Sequence, residues 1–380
     1  MRIGFDSKRI FSNFRGLGSY SRNLVRDLCD TFPESEYYLY TPEFQAHIID
    51  HYFANCKCIK VRTPSIVRPK ILAQAWRNFA LNGAIQKDRL DIYHGLSHQL
   101  PSGAKPGSTK WVVTVHDLLF LRYPQYFSPI DRWIYSRKIR YSTSVADSVI
   151  AISKQTKKDL MSFMRVPEEK ITVLHQSSDP MFQTRISDEE KKEIRHRYHL
   201  PDKYILYVGA LLPHKNVLAI LKAMNQLKRD VGFHFVVVGS GLKYQKSMVQ
   251  FASQVGLQDR LIFLSNQGYI NNTELRGIYQ MATLFIYPSM FEGFGLPILE
   301  ALRSQVPVIA NFGLEEAGGP HSLYSRTDDD GESLAETIKQ FFADSNLQQS
   351  MVRGGLLHAQ NFDQKTTSKA LMEHYRSLVD

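Results

Sequence analysis

The residues best placed to do chemistry stand in one string, Tyr287-Pro-Ser-Met-Phe-Glu-Gly-Phe-Gly-Leu-Pro-Ile-Leu-Glu300. An apolar run ends at Tyr287, a loop with two glycines follows, and Pro297 falls where a first helical turn begins. Proline is tolerated there because its missing N–H would have had no intrahelical partner. The free N–H groups of a helix start, with the helix dipole behind them, attract an anion, phosphate above all. Gly293 and Gly295 let the backbone come close to it. Glu300 falls one turn into the helix, and Glu292 lies in the loop before it. A carboxylate accepts two hydrogen bonds from a vicinal diol such as a ribose or a sugar ring. Taken singly, either glutamate reads as an acidic residue placed for the helix dipole. Together, the string offers two diol readers flanking one phosphate cradle, the layout a sugar nucleotide requires.

Two further segments carry candidate groups. In Tyr207-Val-Gly-Ala-Leu-Leu-Pro-His-Lys-Asn216, a strand runs into a turn and then a helix. Lys215 can reach a pyrophosphate as a point charge, and His214 either assists it or caps the loop. In Val113-Thr-Val-His-Asp-Leu118, His116 and Asp117 stand where an apolar strand ends, the place where function gathers in α/β folds. Upstream, Arg15-Gly-Leu-Gly18 opens a helix, but Gly16 and Gly18 lack the third glycine of a dinucleotide fingerprint. Gly239-Ser-Gly241 has the same defect, and the absence of a G-x-x-x-x-G-K-[ST] string excludes a P-loop nucleotidase. The acidic run Asp328-Asp-Asp330 precedes Gly331 and a helical stretch, so turn and N-cap duty accounts for it. No metal is expected.

These groups need elements to hold them. Apolar strand-like runs at 2–5, 37–40, 58–61, 92–94, 111–116, 148–152 and 172–174 alternate with helical stretches such as 19–30 and 71–86. A second series follows at 204–208, 233–238, 261–264, 284–287 and 306–310, separated by helices such as 217–227 and 272–281. Short apolar strands alternating with helices predict parallel sheets covered on both faces. The polar stretch around Asp179-Pro180 and the charged run from Asp188 to Arg195 divide the two series. The expected organisation is α/β with two doubly wound domains, 1–185 and 186–362, and a last helix in 363–380 that packs on either one. Ligands of such sheets bind beyond the carboxyl ends of the strands. By analogy, two such domains facing one another would place a site in the cleft between them.

Composition narrows the class. The chain has 380 residues with 43% hydrophobic, 22 Phe and 19 Tyr, enough for two cores and unlike a disordered chain. Three cysteines form no disulfide framework. Cys56 and Cys58 read as small core residues on one face of a strand in a reducing compartment. No leader segment is read at Met1, and no apolar run approaches the ~20 residues that span a bilayer. A soluble, cytoplasmic protein is expected. The net charge of +10 invites nucleic acid, an anionic membrane surface or phosphorylated small molecules. The basic residues cluster with aromatic ones at 62–89 and 131–141. Each cluster alone reads as a solvated helix face, while basic aromatic helices also suit peripheral contact at the inner face of a membrane. No nucleic-acid-binding motif is present, and no nucleic acid is expected as a partner.

With these residues in view, the chain resembles the retaining GT-B glycosyltransferases of family four. The resemblance rests on Arg15-Gly-Leu-Gly-Ser-Tyr20, Asp91-Ile-Tyr-His-Gly95, Thr114-Val-His-Asp117, Ile152-Ser-Lys-Gln-Thr156, Tyr207-Val-Gly209 with His214-Lys-Asn216, and above all the two glutamates of Glu292-Gly-Phe-Gly-Leu-Pro-Ile-Leu-Glu300. It implies that the second domain binds a nucleotide sugar, GDP- or UDP-linked. Glu300 would hold the ribose, and Glu292 would touch the donated sugar. Lys215 and the backbone N–H groups near Gly295 and Leu296 would hold the phosphates, with Gly18 closing from the first domain, and Gly16, Gly209, His214, Gly293 and Phe294 would also bind the donor. His116 would act near the donated sugar, with Asp117 on the acceptor side. His116, Glu292 and Lys215 are thus the catalytic candidates.

The resemblance further implies transfer of a hexose without cofactor or metal, and with retention. Mannose is favoured. The acceptor would be a glycan or lipid-linked glycan in surface polysaccharide or lipopolysaccharide synthesis. The chain departs from the family at Ala210 and His214, where arginines are usual, at Ser304-Gln305, where Cys-Gly is usual, and over 311–320. Two alternatives stand beside this reading: an epimerase or hydrolase of nucleotide sugars with the same architecture, and a non-enzymatic basic binding protein.

Overall fold

The structure, a computed structural model, describes residues 1–13, 16–64, 76, 81–104, 107–227 and 232–380. Contacts divide the chain into two units: Met1–Ser177 with Gln364–Asp380, and Ser178–Asp363.

In the first unit, the described residues form a parallel sheet of β1 (Arg2–Asp6), β2 (Glu36–Tyr40), β3 (Ile59–Arg62), β4 (Ile92–Gly95), β5 (Lys110–Val115), β6 (Ser148–Ala151) and β7 (Ile171–Val173). Their order is β3-β2-β1-β4-β5-β6-β7. Central strands of such a sheet are buried on both faces, which explains their unbroken apolar runs. Successive residues feed opposite cores. Tyr37, Leu39, Ile92 and Val112 enter one apolar cluster, while Tyr38, Tyr40, Tyr93 and Val113 enter the other. The helix Gln364–Val379 seals the first cluster with Leu371, Met372 and Tyr375. The Tyr375 hydroxyl meets Nδ1 of His94 at 2.6 Å, and Nε2 of His94 meets the Thr114 hydroxyl at 2.7 Å. The apolar stripe of this last helix therefore has its partner in the first unit.

The second unit repeats the architecture with β8 (Tyr204–Val208), β9 (His234–Val238), β10 (Leu261–Phe263), β11 (Leu284–Tyr287), β12 (Val308–Asn311) and β13 (Leu323–Ser325). The order is β10-β9-β8-β11-β12-β13, again parallel. Two α/β domains with parallel sheets are thus present, as the alternation of strands and helices predicts.

Several details differ from the sequence reading. The units divide at Ser177/Ser178, upstream of the expected boundary at 185. The turn Pro180–Gln183 belongs to the second unit because buried Arg303 bonds Ser178 and Gln183 as well as the Ala359 and Phe362 carbonyls. Strand β13 has no counterpart among the expected strands, since three residues of mixed polarity carry no periodic signal. Cys56 and Cys58 both lie before β3 rather than within it. The expected helix at 71–86 falls largely outside the described residues, whose helix there is Leu81–Asp88. Arg15 also lies outside them.

Candidate functional site

Strand order in the second sheet reverses direction between β8 and β11. A crevice opens at such a switch point, beyond the carboxyl ends of the two strands. Lys215 follows β8, and Glu292 follows β11. The ammonium of Lys215 donates to both carboxylate oxygens of Glu292, at 2.5 and 2.6 Å, with the two side chains only 15% and 13% exposed. Main chain fixes this pair. The Met290 N–H donates to the His214 carbonyl at 2.9 Å, and the Ser289 hydroxyl donates to the Phe291 carbonyl at 3.1 Å. Asn216 turns the chain in the left-handed region (φ 49) and donates through its side chain to the Thr327 carbonyl at 2.7 Å. Tyr207 and Tyr287 stack at 5.8 Å as a floor, with the Lys215 ammonium 6.0 Å from the Tyr287 ring. Burial disfavours the charged form of Glu292. The charge and hydrogen bonds of Lys215, aided by Ser289 and Tyr287, outweigh it and hold the carboxyl below its usual range.

The helix carrying the second glutamate spans Leu296–Arg303, with Gly295 as its N-cap in a left-handed conformation (φ 113) and no side-chain cap. A Cβ on Gly295 would stand 3.2 Å from Ile298 Cδ1 and 3.4 Å from Ala317 Cβ. The glycine is thus demanded by backbone conformation more than by space. Phe294 packs its ring on Phe362 at 5.3 Å and is 5% exposed, so its side chain anchors the loop. Glu300 accepts a hydrogen bond from the Tyr279 hydroxyl at 2.9 Å. Burial pushes its carboxyl up to about 7, against the pull of Tyr279 and with a smaller push from Asp179.

Other expected residues have visible structural duties. His214 is buried and contributes its carbonyl to Met290. Gly209 lies against the Tyr207 hydroxyl, and a Cβ on Gly239 would stand 1.7 Å from the Gly209 carbonyl oxygen. Gly239 therefore serves close packing of the loops after β8 and β9. Asp329 accepts from the Ser333 N–H at 3.1 Å, and Asp330 pairs with Lys222 at 2.6 Å.

In the first unit, His116 ends up 5% exposed just after β5. Its Nε2 donates to the Leu96 carbonyl at 2.8 Å, so its Nδ1 accepts from the Gln176 amide at 2.9 Å. Tyr20 lies edge-on at 4.6 Å, and His98 at 5.3 Å. Burial, then the neighbouring His98, depresses the imidazole to about 3. His116 is therefore a neutral ring with both nitrogens occupied. Asp117 accepts from the Leu119 N–H at 3.0 Å. Gly18 is packed so that a Cβ would stand 1.7 Å from the Asn13 carbonyl oxygen, whereas Gly16 has nothing within 4 Å.

Sequence reasoning did not single out Tyr279, Ser289 or Asn216 as supports of the glutamates. Ser289 lies within the quoted glutamate string and Asn216 closes the Pro-His-Lys-Asn loop, so both were within reach. Tyr279 shows no local signal.

In sequence and fold the chain is similar to known proteins. Residues 188–356 match the family described as Glycosyl transferases group 1, and residues 15–180 match Glycosyltransferase Family 4. The chain is 27% identical over 294 residues to O-antigen chain mannosyltransferase B of Escherichia coli, covering 76% of this chain and 74% of the relative. It is 29% identical over 199 residues to O-antigen chain mannosyltransferase RfbU of Salmonella typhimurium, covering 52% of this chain and 51% of the relative. In fold it is similar to a glycosyltransferase from Rickettsia africae, with a TM-score of 0.77, 16% identity, and 100% and 98% of the two chains covered. It is also similar to Anabaena HepE in complex with UDP and glucose, with a TM-score of 0.73, 17% identity, and 99% and 100% covered.

Proposed function

We propose a function on one premise: the chain belongs to the glycosyltransferases, its two halves matching the group 1 and family 4 members in succession and its fold being the GT-B fold. In this proposal it moves a hexose from a nucleotide-sugar donor, GDP- or UDP-linked, to a glycan or lipid-linked glycan acceptor. Mannose is favoured because the O-antigen relatives are named as mannosyltransferases, and surface polysaccharide synthesis follows from the same names. The observation that carries the donor site is the Lys215–Glu292 pair at the switch point of the second sheet.

The roles follow from charge. Breaking the sugar–phosphate bond leaves positive charge on the sugar and an added negative charge on the diphosphate. Lys215 and the uncapped start of the Leu296–Arg303 helix, with Gly293 and Gly295 allowing close approach, would meet that charge. Glu292, held as a carboxylate, would accept sugar hydroxyls, and Glu300 the ribose diol. Retention belongs to the same proposal. Both oxygens of Glu292 are engaged by an ammonium, which suits an acceptor of hydrogen bonds better than a covalent nucleophile. The acceptor oxygen would then bond the anomeric carbon on the face the diphosphate leaves, and its proton would pass to the departing phosphate oxygen. His116 enters as a positioning residue, because neither ring nitrogen is free to exchange a proton. No metal takes part in this scheme.

Peripheral membrane contact is also proposed. No helix among the described residues is long and apolar enough to cross a membrane. On the helix Pro129–Val145, however, Ile130 and Trp133 are 70% and 61% exposed beside exposed Arg137, Lys138 and Arg140. Much of the second basic cluster, 62–89, lies outside the described residues. Co-sedimentation with vesicles containing anionic lipid, lost in Trp133→Ala with Ile130→Ala, is the expected result. Binding unchanged by that pair would remove this part.

The donor reading is tested by thermal shift with UDP, GDP, ADP, dTDP and their sugar conjugates. A saturating ligand at a hundred times its Kd adds about 2.7 kcal/mol. One base should stabilise the wild type and fail to stabilise Lys215→Ala. Rapid turnover of the donor without any acceptor would instead favour an epimerase or hydrolase.

A further inference from the structure

The first sheet has a switch point of its own, between β1 and β4. The segments after β1, β4 and β5, with one face of the Pro129–Val145 helix, enclose a cavity of ≈ 270 Å³, near the lower end of small-molecule sites. Its wall has two characters. One is cationic: Arg9 and Lys138 both line it, and among the described residues neither is paired with a carboxylate. The other is aromatic: the Phe120 ring meets Phe127 at 6.4 Å and Tyr135 at 5.7 Å, both edge-on.

His98 lines the same cavity. Its backbone lies in the left-handed region at φ 62 and is held there by its N–H donating to the Thr114 carbonyl at 2.9 Å. Its Nδ1 is sealed from solvent with no hydrogen-bond partner among the described residues. Burial, then the nearby charge of Arg9, depresses this ring to about 4, so it is neutral near pH 7. A strained non-glycine residue with an orphaned ring nitrogen is a feature that folds keep where a ligand completes it. Aromatic faces suit the apolar faces of sugar rings, and unpaired cations suit an anion.

We propose that this cavity holds the acceptor, and that the acceptor is an anionic saccharide. A phosphate or carboxylate group meets Arg9 and Lys138, a sugar ring lies on Phe120, Phe127 and Tyr135, and a hydroxyl completes His98 Nδ1. Asp117, on the same wall, repels the anion and receives a hydroxyl instead. This inference rests on the glycosyltransferase reading but names residues in the first unit alone.

The test uses the full-length protein, thermal shift and three probes: methyl α-mannoside, mannose 6-phosphate and a mannosyl decyl diphosphate. Inorganic phosphate controls for bare charge, and GDP and UDP report the second unit. The expected result is at least tenfold tighter binding of one or both charged sugars than of the neutral glycoside. Arg9→Ala with Lys138→Ala, both on exposed side chains, removes that advantage and leaves the nucleotide shift intact. His98→Asn weakens neutral and charged probes alike. A preference for mannose 6-phosphate puts the charge on the sugar, and a preference for the diphosphate puts it on a carrier lipid. The inference is overturned if the neutral glycoside binds as well as the charged probes, if inorganic phosphate alone matches them, or if the double variant binds them unchanged. Failure of the nucleotides alone would count against the donor site and not against this cavity.

Discussion

At the scale of single residues, Lys215 and Glu292 are one unit. Replacing Lys215 with Ala leaves a buried carboxylate without its counter-charge. Breaking such a pair costs on the order of 3 kcal/mol, and in the proposed donor site the loss of a charge at the leaving group should lower kcat about 10²–10³-fold. The Lys215→Ala/Glu292→Gln double variant should regain most of the stability and none of the turnover. Calorimetry and initial rates on Lys215→Ala, Glu292→Gln and the double variant measure the two effects separately, and additive stability losses would show that the residues are not coupled.

Glu300 sets a pH dependence. Its folded-state pKa, about 7, is raised above the ordinary carboxylate value by burial. Its contribution to stability is therefore fully present below the unfolded pKa near 4.3 and is lost as pH rises through about 7. In the proposed donor site a ribose diol donates to the carboxylate form, so nucleotide affinity should rise between pH 6 and 8 with release of a proton. Titration calorimetry in buffers of different ionisation enthalpy detects that proton. Glu300→Gln should abolish its release and flatten the profile.

At the scale of elements, the starts of helices carry the argument. The helix Gly16–Thr31 begins with two glycines that the structure separates in kind. A Cβ on Gly18 collides with the Asn13 carbonyl, while one on Gly16 meets open space. Gly18→Ala should destabilise the protein by about 1–3 kcal/mol through overpacking. Gly16→Ala should be neutral or stabilising by up to ~1 kcal/mol. Denaturant midpoints decide this. Weaker nucleotide binding in a stably folded Gly16→Ala variant would point to close ligand approach at that position.

At the scale of the whole molecule, the units should respond differently to acid. His94, His98 and His116 are depressed by burial to about 3, 4 and 3, all in the first unit. Their stabilising effect is present above the unfolded pKa near 6.5 and is lost as pH falls below it. One pH unit lower, each has forfeited about 1.4 kcal/mol, whereas Glu300 gains by the same change. Trp76, Trp111 and Trp133, the three tryptophans of the chain, also lie in the first unit. Tryptophan fluorescence should therefore report an unfolding midpoint that drops markedly between pH 7.5 and 5.5. An unmoved midpoint would mean that these histidines are not buried as neutral rings.

Much of this protein was legible in its sequence because the signals are local. Twelve of the strand positions follow from short apolar runs, since a strand buried on both faces must be apolar along its length. Glu292, Gly295 and Glu300 follow from one string, because a loop entering a helix N-terminus is a property of neighbouring residues. The tertiary structure alone decided what depends on distant partners. Strand order put the loops of Lys215 and Glu292, 77 residues apart, side by side at a switch point. Packing engaged both nitrogens of His116, which its place at a strand end could not foretell, and left Nδ1 of His98 without a partner among the described residues. The last helix joined the first unit through Tyr375 and His94, 281 residues apart. Its amphipathic stripe required burial, and only the complementary surface in three dimensions determined where.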